Sequence, residues 1–421
     1  MAREMKDSGI AWIGHIPKDW GTIRFKYLHN GMNTGEGIDK EFWTSDEADT
    51  VFYTAGIEPI RTNYRDFPIW KYTKDNDLLL ARNGTPYVYL PSPSSCYTDH
   101  IIRADMKEDI NRDFVRYCLQ QSISSVVVDS VSLATWSASL WNEQVIAWPS
   151  EEEQARIVFF LDTECAHIDA VIEQTRASIE KYKKLKQAVI TQAVTKGIRP
   201  DRQMKDSRIE WIGDIPADWQ LCKLRHIGST QNGISKSGEF FGEGFPFVSY
   251  GDVYRNYSLP KKVNGLIQST EEEQKLYSVE KGDIFFTRTS ETIEEVGFSS
   301  VCLETIPNAT FAGFLIRVRP YDDTLDVGYS KYYFRSNHHR FYLVKQMNLV
   351  TRASLGQPLL KGMTVFVPDK EEQIEIASYL DKKCNDIDYL IGRKEMLISE
   401  LEAYKKSLIF EYVTGKKEVP A

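Results

Sequence analysis

The sequence predicts an α+β protein with an internal repeat: two globular α/β domains separated by two long helices, which form an antiparallel coiled coil about a pseudo-twofold axis. Three observations predict it. MKDSGIAWIGHIPKDW begins at Met5 and MKDSRIEWIGDIPADW at Met204, with twelve of the sixteen positions identical. PSEEEQARIVFFLD from Pro149 returns as PDKEEQIEIASYLD from Pro368. The stretches between, residues 21–148 and 220–367, scarcely resemble each other. A repeated frame with divergent inserts carries two like-placed modules that read different things.

At 421 residues the chain exceeds the size at which one core keeps growing, so at least two domains are expected. The boundaries are set at 1–148 for the first domain, 149–198 for the first helical spacer, 199–367 for the second domain and 368–421 for the second spacer. The first domain includes the frame segment 5–20, and the second includes its repeat 204–219. No apolar run is long enough for a signal peptide or a membrane span, so a soluble cytoplasmic protein is expected. The six cysteines form no CxxC pair, which argues against a zinc site. The net charge of −8 argues against an indiscriminate nucleic-acid binder but does not exclude a local basic surface.

The helices follow from capping and periodicity. Ser150 with Glu153, and Asp369 with Glu372, have capping-box spacing just after a proline. Apolar residues then recur at steps of four and three. The first stripe is Leu161, Cys165, Ile168, Ile172, Ile179, Tyr182, Leu185 and Val189. The second is Leu380, Cys384, Ile387, Ile391, Ile398, Leu401, Tyr404 and Leu408. Spacing near 3.5 marks a coiled-coil seam, and two matching seams in one chain predict that they pack together. The two cysteines on these stripes read as buried, reduced thiols. The frame segments read as extended stretches, with Trp12, Trp20, Trp211 and Trp219 as packing anchors.

The inserts share short strand-like runs. DLLLAR ending at Arg82 resembles DIFFTR ending at Arg288, each followed by a polar turn. Residues 135–140 loosely echo 351–355. Basic, aromatic and small polar residues interleave in several loops. Such types hold phosphates and read base edges. The candidates for DNA contact are Arg61, Tyr64, Arg65, Arg82, Asn83 and Trp136 in the first insert. In the second they are Arg255, Lys261, Arg288, Thr289, Arg352 and Ser354. Counting Lys and Arg against Asp and Glu, the first insert is net acidic and the second slightly basic.

No catalytic constellation emerges. Phe240 to Gly244 fits F-x-G-x-G but lacks a downstream N-P-P-[YF] or D-P-P-[YF], so it reads as a glycine turn. No phosphate loop for ATP is present. His338 and His339 lack partners at ligand spacing, so a surface or phosphate-facing place is expected and no metal site is assigned.

The doubled KDS-x-I-x-WIG-x-IP-x-DW segments, the proline-led EEQ helix starts and the twin stripes together resemble the specificity subunits of type I restriction-modification systems. The resemblance spans the whole chain. It implies two target recognition domains, each reading one half of a bipartite, asymmetric site in double-stranded DNA. The helices would set the spacing and dock two modification (methyltransferase) subunits, and restriction (translocase/nuclease) subunits would join them. The chain itself would be non-catalytic and hold no cofactor, with S-adenosylmethionine, ATP and Mg on the partner subunits. A tandem-repeat protein-interaction scaffold with a coiled-coil strut remains open, as does, on the weaker glycine motif alone, a monomeric adenine methyltransferase.

Overall fold

The computed structural model describes residues 3–47, 49–83, 87–126, 135–210, 212–290, 296–346 and 353–420. Two compact units emerge: Met1–Thr175 with Glu395–Ala421, and Arg176–Lys394. The division differs from the one expected from sequence. It cuts both long helices near their middles, because each unit is completed by half of each helix.

Each unit is built on a four-stranded antiparallel sheet of the same order. In the first unit the order is His29–Thr34, Ile101–Met106, Asp77–Ala81, Val88–Tyr89. In the second it is Gly228–Asn232, Leu315–Pro320, Ile284–Thr287, Ser299–Val301. The DLLLA strand is wholly buried, as is IFFT, which explains their unbroken apolar runs. A smaller sheet lies beside each. In each of these one parallel pair joins distant strands, Thr50–Tyr53 with Cys96–Tyr97 and Phe241–Val248 with Thr310–Phe311. The F-x-G-x-G run falls at a register shift inside Phe241–Val248.

The long helices span Glu151–Lys196 and Lys370–Val413. Within the first unit they run antiparallel: Phe160 packs on Tyr412 with ring centroids 4.5 Å apart, and Lys405 Nζ lies 2.7 Å from Asp169. Leu161, Cys165, Ile168 and Ile172 are buried with Leu408, and Ile398 and Leu401 are packed half-buried against them. Within the second unit Lys186 pairs with Asp388 at 2.6 Å, and Lys394 lies over the Tyr182 ring. There Ile190, Val194, Leu380 and Cys384 share one core. Ile179 and Ile387 are also buried, and Ile391 is half-buried.

Leu185 corrects the expected seam. It is 47% exposed, and so is its repeat partner Tyr404 at 54%. An α-helix needs 3.6 residues per turn, so a stripe drawn at 3.5 rotates off the contact line. Lys186 and Lys405 take the inward positions and place their ammonium groups on aspartates of the facing helix. The buried cysteines of the seam, Cys165 and Cys384, are free thiols, and desolvation raises their pKa values.

The frame segments are not simply extended. Met5–Asp7 pairs antiparallel with His15–Pro17, and Met204–Asp206 with Asp214–Pro216, each closing a loop. Trp20 and Trp219 are buried, whereas Trp12 is half-buried with its indole N–H donated to the Val145 carbonyl. Trp211 lies outside the described residues.

Each loop fastens two helix ends. Arg3 donates to Glu153 at 2.6 and 3.1 Å and to Asp19 at 3.0 Å, while Trp20 Nε1 donates to Glu153 at 2.8 Å. Arg202, Asp218, Trp219 and Glu372 repeat the arrangement in the second unit. Each arginine is held protonated chiefly by its glutamate. The far helix end is tied by a lysine. Lys416 Nζ donates to the Ile13 and His15 carbonyls, and Lys196 Nζ to those of Ile212 and Asp214. Half of each expected capping box forms: Ser150 Oγ and Asp369 Oδ1 accept from the Glu153 and Glu372 amides. The glutamate side chains turn instead to arginine and tryptophan, a stronger, charge-assisted set of partners.

Candidate nucleic-acid interface

The apolar strands that end in arginine start from a buried aspartate. Asp77 accepts from the Lys74 amide at 2.7 Å and Asp283 from the Glu280 amide at 2.8 Å, which pins the turn before each strand. Burial raises both carboxyl pKa values. At the other end the chain leaves the sheet at Arg82 and Arg288.

Both arginines are placed by the same two backbone bonds. Arg82 N–H donates to the His100 carbonyl at 2.8 Å, and its carbonyl accepts from the Trp136 amide at 2.7 Å. Arg288 N–H donates to the Phe314 carbonyl at 2.9 Å, and its carbonyl accepts from the Leu355 amide at 2.7 Å. Among the described residues neither guanidinium has a hydrogen-bond or ion-pair partner. Arg82 is exposed and Arg288 half-buried. A cation at a strand end with no partner among the described residues suits an anionic or hydrogen-bonding ligand.

The backbone beside each arginine is also shared. Gly35 and Gly233 end their strands where another segment crosses. A Cβ on Gly35 would lie 1.9 Å from the Tyr97 carbonyl oxygen, and one on Gly233 would lie 2.2 Å from the Phe311 and Ala312 oxygens. Only glycine fits such an approach.

The side chains around this shared scaffold differ. In the first unit the half-buried Asn83 amide meets the exposed His100 Nδ1 at 2.7 Å. In the second, Thr289–Ser290 pairs with Ala353–Ser354, which brings Thr289 to the exposed Ser354, and Phe314 stands 64% exposed. Arg82 and Asn83 therefore cluster in one unit, and Arg288, Thr289 and Ser354 in the other. Sequence reading missed His100 and Phe314. The only sequence signal for them was their place just before an apolar strand.

Several other candidates already have partners within the chain. Trp136 is buried against Trp141, with ring centroids 5.0 Å apart, and occupies the place that Leu355 fills in the second unit. Its indole is core and cannot stack on a base. Arg61 donates to the Asp49 carbonyl and Arg65 pairs with the Asp49 carboxylate at 2.6 Å, so neither is a free cation. Tyr64 packs between Phe42 and Phe67. Lys261 forms a solvent-exposed pair with Glu304, and Arg255 folds back on the Gly251 carbonyl of its own short helix. Arg352 lies outside the described residues.

His338 and His339 are buried, not surface residues facing phosphate. They stack on Phe366 and Phe334, and His338 Nδ1 meets Ser336 Oγ at 2.7 Å. Desolvation pushes the His338 pKa down to about 3 and that of His339 well below its ordinary value. Among the described residues, three carboxylates, those of Asp218, Asp369 and Glu372, come close enough to hold a cation. Arg202 already bonds two of them, and Asp369 caps the helix, so they are neutralised from within.

A family model described as the type I restriction modification DNA specificity domain matches residues 216–397, which contain the second of these sheet ends. Over this region the chain is similar to the type I restriction-modification specificity subunits. The MjaVIII specificity subunit of Methanocaldococcus jannaschii is 22% identical over 96% of this chain and 94% of its own length. The StySPI specificity subunit of Salmonella potsdam is 22% identical over 64% of this chain and 56% of its own. A chain solved in work on complex assembly and conformational transition of the type I R-M system shares the fold. Its TM-score is 0.69 at 14% identity, covering 96% of this chain and 99% of that one. The two sheet ends repeat in backbone geometry and differ in side-chain chemistry. Among the described residues no helix is long and apolar enough to cross a membrane.

Proposed function

We propose that each sheet end reads one half of a bipartite, asymmetric site in double-stranded DNA. The observation that carries this is the pair Arg82 and Arg288, held by identical backbone bonds yet flanked by different side chains. Arginine is the commonest reader of guanine O6 and N7 in the major groove, and small polar neighbours add further base contacts. The paired helices set the distance between half-sites and dock two methyltransferase subunits. Restriction subunits complete the complex. S-adenosylmethionine, ATP and Mg belong to those partners, and this chain contributes recognition without catalysis. Its charge of −8 fits a division of labour in which the partners supply much of the phosphate contact.

The ruler is tested by lengthening both helices in phase by about one turn, ~4 residues, and sequencing the methylome of cells that carry the complete system. The unspecified spacer between half-sites should lengthen while both half-sites persist. An unchanged spacer removes the ruler from this account.

A further inference from the structure

Phe314 is the most exposed phenylalanine of the second unit, and it sits in the hydrogen-bonded position next to Arg288. Its chain neighbour Leu315 is fully buried, and in extended backbone the side chain before it points to the opposite face. The same position in the first unit holds His100, also exposed and hydrogen-bonded to Asn83. One unit therefore presents an imidazole and an amide beside its arginine. The other presents a phenyl ring and the methyl-bearing Thr289.

We infer that Phe314, supported by Thr289, is a specificity-determining residue that packs on the 5-methyl group of a thymine in the half-site of the second unit. The inference rests on the sheet ends being base readers. Thymine is the one standard base that carries a methyl group into the major groove, and Phe and Thr are side chains that recognise it by apolar contact. Histidine and asparagine at the matching place in the first unit offer donors and acceptors, which suit a base edge. The two half-sites then differ because one backbone scaffold carries hydrogen-bonding groups in one unit and apolar groups in the other.

The test uses the complete methyltransferase complex. Its methylome first gives the two-part motif. Duplexes are then made in which each thymine of the motif is replaced in turn by deoxyuridine, which lacks only the methyl group. The intact complex should lose about fourfold in affinity at one thymine, the effect of a single buried methyl. With Phe314→Ser that difference should vanish, and with Phe314→Leu it should partly return. Because the ring is exposed, the Ser variant should keep the thermal midpoint of the intact chain, which is measured alongside. If no thymine is sensitive, or if Phe314→Ser keeps the sensitivity, the inference falls while the half-site reading stands. If the intact complex methylates no two-part motif, the half-site reading itself falls.

Discussion

The helix-end clamps and the sheet ends have been treated differently by the same duplication. Arg3, Asp19, Trp20 and Glu153 recur as Arg202, Asp218, Trp219 and Glu372 with the same bonding pattern. At the sheet ends only the arginine and the backbone recur. The difference follows from burial. A charged group removed from water must keep every partner, so a change at one site leaves the others unpaired. A side chain in solvent has no such constraint and is free to vary.

The clamps themselves are not equally buried, and that sets the largest expected effect. Glu372 is fully buried with Arg202 13% exposed, whereas Glu153 and Arg3 are 14% and 25% exposed. Glu372→Ala should destabilise the second unit by about 3–5 kcal/mol, because it takes one of two carboxylate partners from Arg202 and leaves the buried Trp219 indole N–H without its acceptor. Glu153→Ala should cost the first unit roughly 1–3 kcal/mol, because water reaches the exposed arginine. Urea titration followed by hydrogen exchange at the two helix starts reads each separately. Equal losses would show that the clamps differ in appearance only.

Next come the arginines of the sheet ends. Arg288→Ala and Arg82→Ala should each weaken cognate binding by about 1–3 kcal/mol and relax a different half-site in the methylome. Relaxation of the same half-site by both would break the correspondence between the units. Unchanged binding and methylation would make the arginines structural.

A pH effect concerns a feature of the second unit alone. His338 and His339 lie in a helix, Asn337–Gln346, whereas Arg112–Val126 in the first unit has no histidine. Both imidazoles are held neutral, with the His338 pKa near 3 against 6.5 when free. The unfolded chain therefore binds protons that the folded chain refuses. Stability is fully present above pH 6.5 and is lost as pH falls towards 3. The loss between about pH 7.5 and about pH 5.5 should total ~1.4 kcal/mol for each histidine. Hydrogen exchange between about pH 7.5 and about pH 5.5 should show it in the second unit, and His338→Gln with His339→Gln should flatten it.

Much of the fold was legible because its signals are local. Helix starts show in Ser150 and Asp369, and the buried strands in DLLLA and IFFT. Of the proposed readers, Arg82 and Arg288 were found because each ends an apolar run. The burial of Trp136 and the partners of Arg61 and Arg65 were not legible, because composition cannot say whether a side chain already has a partner. Asp49 lies 12 and 16 residues from those two arginines, and nothing in the intervening sequence announces the contact.

The sequence by itself determined the repeat, the helical stripes and the two arginine-ended strands, since each is written in residues that are neighbours along the chain. Tertiary structure alone decided that Leu185 turns outward, that the histidine pair is buried, that Trp136 belongs to the core, and that His100 and Phe314 stand beside the arginines. Those outcomes depend on strands and helices meeting across long separations, where packing and desolvation choose among side chains that look alike in sequence.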